Sequence, residues 1–265
     1  MKIGFIGLGN MAGAIIGGLI RTGMAAPGDI IGSAKTQATR ERMKETWGIT
    51  VAQNNAEAAQ QADVLVLAIK PVFAAEVIEE IRGALRPETL VISIIAGKTL
   101  AWLEQQFAVE GLKLVRTMPN TPALVGEGCT GVCAGAGVSG EEEALALKLM
   151  GSFGKAIAVP ERLMDTVGAV SGSSPAFVFM FIEALADGAV AGGMPRKQAY
   201  EFAAQAVLGS AKLVLESGQH PGALKDMVCS PGGTTIEGVR VLEEQGMRAA
   251  VIDAVEAVLA KTKLL

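Results

Sequence analysis

Basic charge is short in this chain, and histidine and cysteine are shorter still. Lys and Arg number 23 against 27 Asp and Glu, a formal net charge of −4, with a pI near 5.3. That leaves no basic field to hold a polyanion, so a nucleic-acid partner is excluded. His220 is the single histidine, and Cys129, Cys133 and Cys229 follow no zinc spacing. No metal site is expected, and the cysteines read as reduced thiols of a cytoplasmic protein. Long unbroken apolar runs are missing too. The stretch after Lys2 has a signal-peptide look but is interrupted by Gly7, Gly9 and Asn10, so it is rejected as one. Val167 to Ile182 carries no charge but contains Gly168, Gly172, Pro175 and three serines. It reads as too short and broken to span a bilayer.

What is present organises the first half. Lys2 to Ile6 is strand-like, Gly7, Leu8, Gly9, Asn10, Met11 and Ala12 form a glycine turn, and an apolar helical pattern follows. This is the dinucleotide fingerprint in its informative context of strand, turn and helix. Gly7 permits a sharp turn, Gly9 removes the Cβ that would block a pyrophosphate, and Ala12 allows close packing of helix on strand. The helix N-terminus then offers free N–H groups to phosphates.

Near-continuous apolar runs at 30–33, 64–69, 90–94 and 112–117 predict parallel strands covered on both faces. Helical patterns at 37–47, 55–61, 74–85 and 100–107 lie between them, giving an α/β doubly wound sheet of Rossmann type. Asn55 is placed to cap one helix and Pro71 to begin another. Residues 126–137 read as irregular strand or loop, and 138–150 as a last helix opened by Ser139 and three glutamates. Past Pro160 the pattern turns wholly helical, at about 175–191, 195–217, 223–228, 235–245 and 247–261. The expected division is therefore a nucleotide-binding domain over 1–160 and an all-α domain over 161–265. Residues 175–190 are apolar nearly all round, with only Glu183 and Asp187 charged. Such a helix must be covered on every side, by a partner copy with interleaved helices or at the centre of its own bundle.

The second strand bears on the cofactor. Asp29 has the spacing of an NAD-type ribose ligand but sits at the wrong end of its strand. The right end reads Ser33, Ala34, Lys35, Thr36 and then Arg40, hydroxyls and cations that suit a 2′-phosphate, unless Lys35 and Arg40 merely solvate a helix face. NADPH is thus expected, with NADH possible. Three further stretches concern the reacting end. VLAIKP delivers Lys70 to the carboxyl edge of the sheet. RTMPNTP holds Asn120 between two prolines. SPGGTT, Ser230 to Thr235, precedes a helix and forms a cradle for a carboxylate or phosphate. Together they point to a reductase for a small anionic substrate.

Through FIGLGNMA, AIKP, MPNTP, SGSSPAF and above all HPGALKDMVCSPGGTTIEG, the chain resembles the pyrroline-5-carboxylate reductases over nearly its whole length. The resemblance implies NADPH-dependent reduction of a cyclic imine to L-proline, the last step of proline biosynthesis, by an oligomer of interleaved dimers. It implies cofactor contacts at Gly7, Leu8, Gly9, Asn10, Met11, Ala12, Ser33, Asn55, Ala68, Lys70 and Ala96, a set we complete with Lys35 and Pro71. Asn120 would lie beside the nicotinamide. Ser230, Thr234 and Thr235, with Gly232 and Gly233, would hold the substrate carboxylate, so the active site is expected where the helical domain meets the sheet edge. Hydride delivery to a protonated imine needs orientation and electrostatics rather than a covalent nucleophile. His220 is given a structural place in its His-Pro-Gly turn.

Two departures stand out. Ser174 and Phe177 replace the glycine and tyrosine of the family's SGSGPAY string, and Gly168 stands where a threonine able to bond the imine nitrogen is common. Ser173, Ser174 or a water could substitute as donor, or the imine could be protonated in solution; activity is expected either way. Two alternatives belong to other classes. A β-hydroxyacid dehydrogenase should show a catalytic lysine on the first helix after the boundary, yet 169–184 has neither Lys nor Arg. A non-catalytic NADP sensor should have lost the cradle, and Ser230 to Thr235 is intact.

Overall fold

A computed structural model describes residues 1–263. Chain order begins β1 (Ile3–Ile6), α1 (Asn10–Arg21), β2 (Ile30–Ser33), α2 (Gln37–Trp47), β3 (Thr50–Val51), α3 (Asn55–Gln61) and β4 (Val64–Leu67). There follow α4 (Ala74–Ile81), β5 (Leu90–Ser93), α5 (Leu100–Phe107), β6 (Lys113–Met118), β7 (Gly128–Ala134), α6 (Gly140–Met150) and β8 (Gly154–Ala158). One sheet has the order β3-β2-β1-β4-β5-β6-β7-β8, with every neighbouring pair parallel except β6 and β7.

The apolar runs become strands because both faces are covered. Ile3, Phe5, Val64, Val66, Leu90 and Ile92 point into one core with α1, while Ile6, Leu65, Leu67 and Val91 point into the other with α3, α4 and α5. Two strands escape the apolar pattern. β3 is two residues at the sheet edge, and β8 reads GKAIA with little burial. The segment expected to be irregular contains β7, a regular seven-residue strand. Its glycines are required by close approaches: a Cβ on Gly128 would meet the Phe153 carbonyl oxygen at 2.9 Å, and one on Gly131 would meet Val167 at the same distance. The expected cap at Asn55 is also corrected. Asn54 is the N-cap, its Oδ1 accepting from the Glu57 N–H at 2.8 Å, so Asn55 is the first helical residue and its side chain is released for other work.

The remaining helices are α7 (Met164–Val167), α8 (Ser174–Ala191), α9 (Arg196–Ser217), α10 (Pro221–Val228), α11 (Thr234–Glu244) and α12 (Met247–Thr262). Arg116 on β6 is buried and pairs with Glu161 at 3.3 Å and Asp165 at 2.9 Å, tying the approach to α7 to the sheet. Glu161 also accepts from the Leu100 N–H at 2.6 Å. Between α7 and α8 the chain stays helical through a π-helical turn, Gly168–Ser173. The glycines and Pro175 therefore do not break it, contrary to the sequence expectation. Glu161–Ala191 is one helical course, long and apolar enough by length and composition to cross a membrane.

By their internal packing the described residues form two units, Met1–Ser173 with the residues after Val258, and Ser174–Val258. The second unit has a core of only Ala186, Ala199 and Ala203, bordered by a few half-buried neighbours. Only Ala186 of α8 is buried, so this helix is not the centre of its own bundle. Phe179 and Met180 are more than 60 % exposed, as are Phe202 on α9 and Leu215 further along it. A face this apolar marks an association surface. Replacing Met180 with aspartate is expected to weaken self-association at least about tenfold, since a carboxylate would be desolvated there without a partner. Light scattering against protein concentration measures it, and an unchanged association constant would remove Met180 from the interface.

Candidate active site

A concavity lies at the carboxyl ends of β1, β2 and β4. It holds about 550 Å³ and is walled by Gly7–Gly9, Ser33–Thr36, Thr39, Arg40, Gln53–Asn55, Ala68–Lys70 and one face of α4. Gly7 has φ +92°, and a Cβ there would lie 2.4 Å from the Ala68 carbonyl oxygen, so no other residue fits the turn. Gly9 is the N-cap of α1 and lends no side-chain cap, and a Cβ on it would meet no protein atom within 4 Å. The first N–H groups of α1 are therefore uncapped and open space lies over them, the combination an anion requires.

At the β2 end, Ser33 is buried and its hydroxyl donates to Asn55 Oδ1 at 2.6 Å, while Asn55 Nδ2 donates to Glu80 at 2.7 Å. Thr36 caps α2 by accepting from the Thr39 N–H, and Arg40 donates to the Ala34 carbonyl at 3.2 Å. Lys35 is exposed, with its ammonium 5.6 Å from the Phe73 ring. Hydroxyls and cations thus stand together on this wall.

Of the expected cofactor residues, Gly7, Leu8, Gly9, Ser33, Lys35, Asn55, Ala68 and Lys70 line this cavity. The Leu8 side chain is buried against Gly32, so the backbone is what Leu8 presents. Asn10, Met11 and Ala12 lie in the first turn of α1, Ala12 facing the core, and neither they nor Pro71 and Ala96 form its walls. Sequence reasoning missed Phe73, Glu76, Val77 and Glu80. They follow the i, i+3, i+4, i+7 spacing of one helix face, opposite the buried Ala74, Ile78 and Ile81. The glutamates one turn apart on that face, Glu76 and Glu80, are the signal that was available.

Asn120 works as a brace. Its Oδ1 accepts from the Cys129 N–H at 2.8 Å and its Nδ2 donates to the Ser171 carbonyl at 3.1 Å, while the Ser171 hydroxyl donates to the Cys129 carbonyl at 3.0 Å. The π-helical turn is thereby fastened to β7. Ser173 ends that turn and Ser174 begins α8, both half-buried. At Gly168 an added Cβ would come no nearer than 3.4 Å to Met118 Cε, an ordinary contact.

In the second unit, Gly232 has φ +64° and the Gly233 N–H donates to the Ser230 carbonyl at 3.0 Å, closing a tight turn. Gly233 is the N-cap of α11 without a side-chain cap, and a Cβ on it would strike Ser230 Oγ at 2.3 Å. Ser230, Thr234 and Thr235 thus surround an open helix N-terminus. His220 caps α10, its Nδ1 accepting from the Gly222 N–H at 3.0 Å.

Comparison with known proteins places this architecture. The family described as pyrroline-5-carboxylate reductase dimerisation matches residues 161–265, and that described as NADP oxidoreductase, coenzyme F420-dependent, matches 2–97. The chain is 53% identical over 264 residues to the pyrroline-5-carboxylate reductase of Escherichia coli (strain K12), spanning 100% of this chain and 98% of that protein. The chain belongs to the pyrroline-5-carboxylate reductase family. Among solved structures, the enzyme from Coxiella burnetii aligns with a TM-score of 0.91 at 37% identity, covering 99% of this chain and 97% of that one. The Plasmodium falciparum enzyme with NADP bound aligns with a TM-score of 0.89 at 33% identity, covering 100% and 97%.

For a member of this family the two glycines of the turn have separable roles. Gly9→Val is expected to lower its thermal midpoint only slightly, by the loss of a favourable N-cap residue of about 1 kcal/mol, because its Cβ is clear of the protein, yet to lose NADPH affinity by about a hundredfold or more. Gly7→Ala should instead lower the midpoint by several degrees, a cost of about 1–3 kcal/mol from the positive φ and the Ala68 clash. Thermal melts beside NADPH titrations separate the two. Equal loss of stability in both variants would contradict the assignment.

Proposed function

We propose that the chain reduces 1-pyrroline-5-carboxylate to L-proline with hydride from NADPH, the last step of proline biosynthesis. The observation that carries this reading is the full-length identity to a curated reductase of that name. The cavity supports it independently, since an uncapped helix N-terminus under an unobstructed Gly9 suits a pyrophosphate. Gly7, Leu8 and Gly9, with the uncapped first N–H groups of α1, hold the pyrophosphate, Lys35 with Thr36 and Arg40 the 2′-phosphate, and Ser33 and Asn55 the adenosine ribose. Ala68 and Lys70 bound the remainder. When bound, NADPH supplies the hydride that the imine carbon receives.

The substrate carboxylate is held by Ser230, Gly232, Gly233, Thr234 and Thr235, where uncapped N–H groups and hydroxyls neutralise it without a cation. Asn120 keeps the π-helical turn in place beside the reacting end. The imine nitrogen is protonated in solution before binding, so no side chain has to donate to it. Residues 1–160 form the NADP(H)-binding domain and 161–265 the dimerisation and substrate domain, a division supported by the family match that begins at residue 161, although residues 161–173 and those after Val258 pack with the first unit. The exposed apolar faces of α8 and α9 are covered by the interleaved helices of a partner copy rather than by lipid, and such dimers can assemble further. Three free cysteines suit the reducing cytoplasm.

Spectrophotometric loss of NADPH with pyrroline-5-carboxylate tests the activity, with a β-hydroxyacid plus NADP as control. Oxidation with the imine alone is expected, and its absence would overturn the reading. Gly168→Thr, whose Cβ would make only an ordinary contact with Met118, is expected to leave kcat within about twofold. A rise of about a hundredfold, the scale of general-acid catalysis, would show that a donor at this position is limiting.

A further inference from the structure

The link from Ser33 through Asn55 to Glu80 fixes a polarity that the cofactor cavity would otherwise lack. A carboxylate can only accept, so the Asn55 atom 2.7 Å from Glu80 Oε2 is the Nδ2 donor. Oδ1 is then turned toward Ser33, whose hydroxyl donates to it at 2.6 Å. With its single proton committed, Ser33 Oγ can only accept a bond from the cavity, and Asn55 retains one N–H to donate. A sugar hydroxyl, donor and acceptor at once, satisfies both.

Nothing else in this cluster enforces that arrangement. Were Glu80 absent, the amide could turn over and donate to Ser33 Oγ, and the Ser33 proton could move to the Phe5 carbonyl oxygen, already 3.5 Å away. The polarity shown to the ligand would then reverse. Glu80 stands on the exposed face of α4, on a different βαβ unit from Ser33, and its bond to Asn55 is charge-assisted. Asn55 is available for this because Asn54 caps α3 in its place.

We propose that Glu80 is a positioning residue for the cofactor, holding the Asn55 amide in the one orientation in which Asn55 donates and Ser33 accepts at the ribose. The proposal rests on the reading of this cavity as the NADPH site. Its test is equilibrium binding of NADPH, followed by cofactor fluorescence, with steady-state kinetics on Glu80→Ala, Glu80→Gln, Asn55→Ala and the Asn55→Ala/Glu80→Ala double variant. Glu80→Ala should raise the Kd and KM for NADPH about fivefold to tenfold, the scale of one ordinary hydrogen bond, with kcat and the imine KM within about twofold. Glu80→Gln should recover only in part, because its amide can accept from Asn55 as the carboxylate does but can also turn over and donate to it. In the Asn55→Ala background the loss of Glu80 should add nothing.

Unchanged NADPH affinity in Glu80→Ala would overturn the proposal, as would an equal effect in the Asn55→Ala background or a glutamine variant no better than alanine. If the wild-type chain binds NADPH but does not reduce the imine, the proposed reaction falls while the Kd series still decides the role of Glu80. Absence of NADPH binding by the wild type overturns both.

Discussion

The crowding of three strand ends around Gly7 is the constraint on which the nucleotide cavity depends. The Gly7 N–H donates to the Ser33 carbonyl of β2 at 2.9 Å, and its Cα faces the Ala68 carbonyl beyond β4 so closely that a Cβ would lie 2.4 Å away. The turn can therefore neither widen nor carry a side chain. With β1 pinned between β2 and β4, the chain has to leave the sheet where α1 begins, and the uncapped first turn of α1 is aimed along the sheet's carboxyl edge. The same pinning sets Ser33 opposite Ile6 in register, which brings the end of β2 within reach of α3 and α4.

Around that frame the charges are arranged by sign and by wall. Two cations and the hydroxyls come from the β2–α2 segment, Lys35, Thr36, Thr39 and Arg40, whereas the carboxylates Glu76 and Glu80 come from α4 on the other side, with Lys70 beyond the end of β4. A dinucleotide carries phosphates and sugar hydroxyls at different places, and the cations Lys35, Arg40 and Lys70 against Glu76 and Glu80 give the cavity a local positive excess. This reconciles an anionic ligand with a chain of net charge −4. It also explains why overall charge excluded a polyanion yet had nothing to say about a compact one.

The legible parts of the sequence were those where one residue type answers one local demand. Helices 37–47, 55–61 and 100–107 were bounded as they occur, because their ends are set by short-range caps and turns such as Thr36, Gly48 and Thr99. β3 and β8 were not legible, since an edge pair and a half-exposed strand are held by neighbours rather than by an apolar pattern. Asn54 and Asn55 are chemically identical neighbours. Only the fold shows that one caps α3 while the other faces Ser33. The brace made by Asn120 joins residues nine and 51 positions away, a span no local pattern encodes.

The second unit shows the opposite limit, in which the sequence states a requirement that one chain cannot meet. α8 has no polar face, and tertiary structure within the chain buries only Ala186 on it. Small residues at the α8–α9 contact, Ala186, Ala199 and Ala203, let the two helices approach closely, but they remove too little apolar area from water to hold a domain. The missing burial has to come from outside the chain. The length and apolarity that let Glu161–Ala191 pass as a membrane span are what a helix needs when another copy covers it on all sides. Glu183 and Asp187 distinguish the two environments. A carboxylate at the middle of a lipid-facing helix is costly, whereas at the edge of a protein interface it can stay in water or pair, as Asp187 does with Arg196. Self-association thus supplies burial that this unit lacks within one chain.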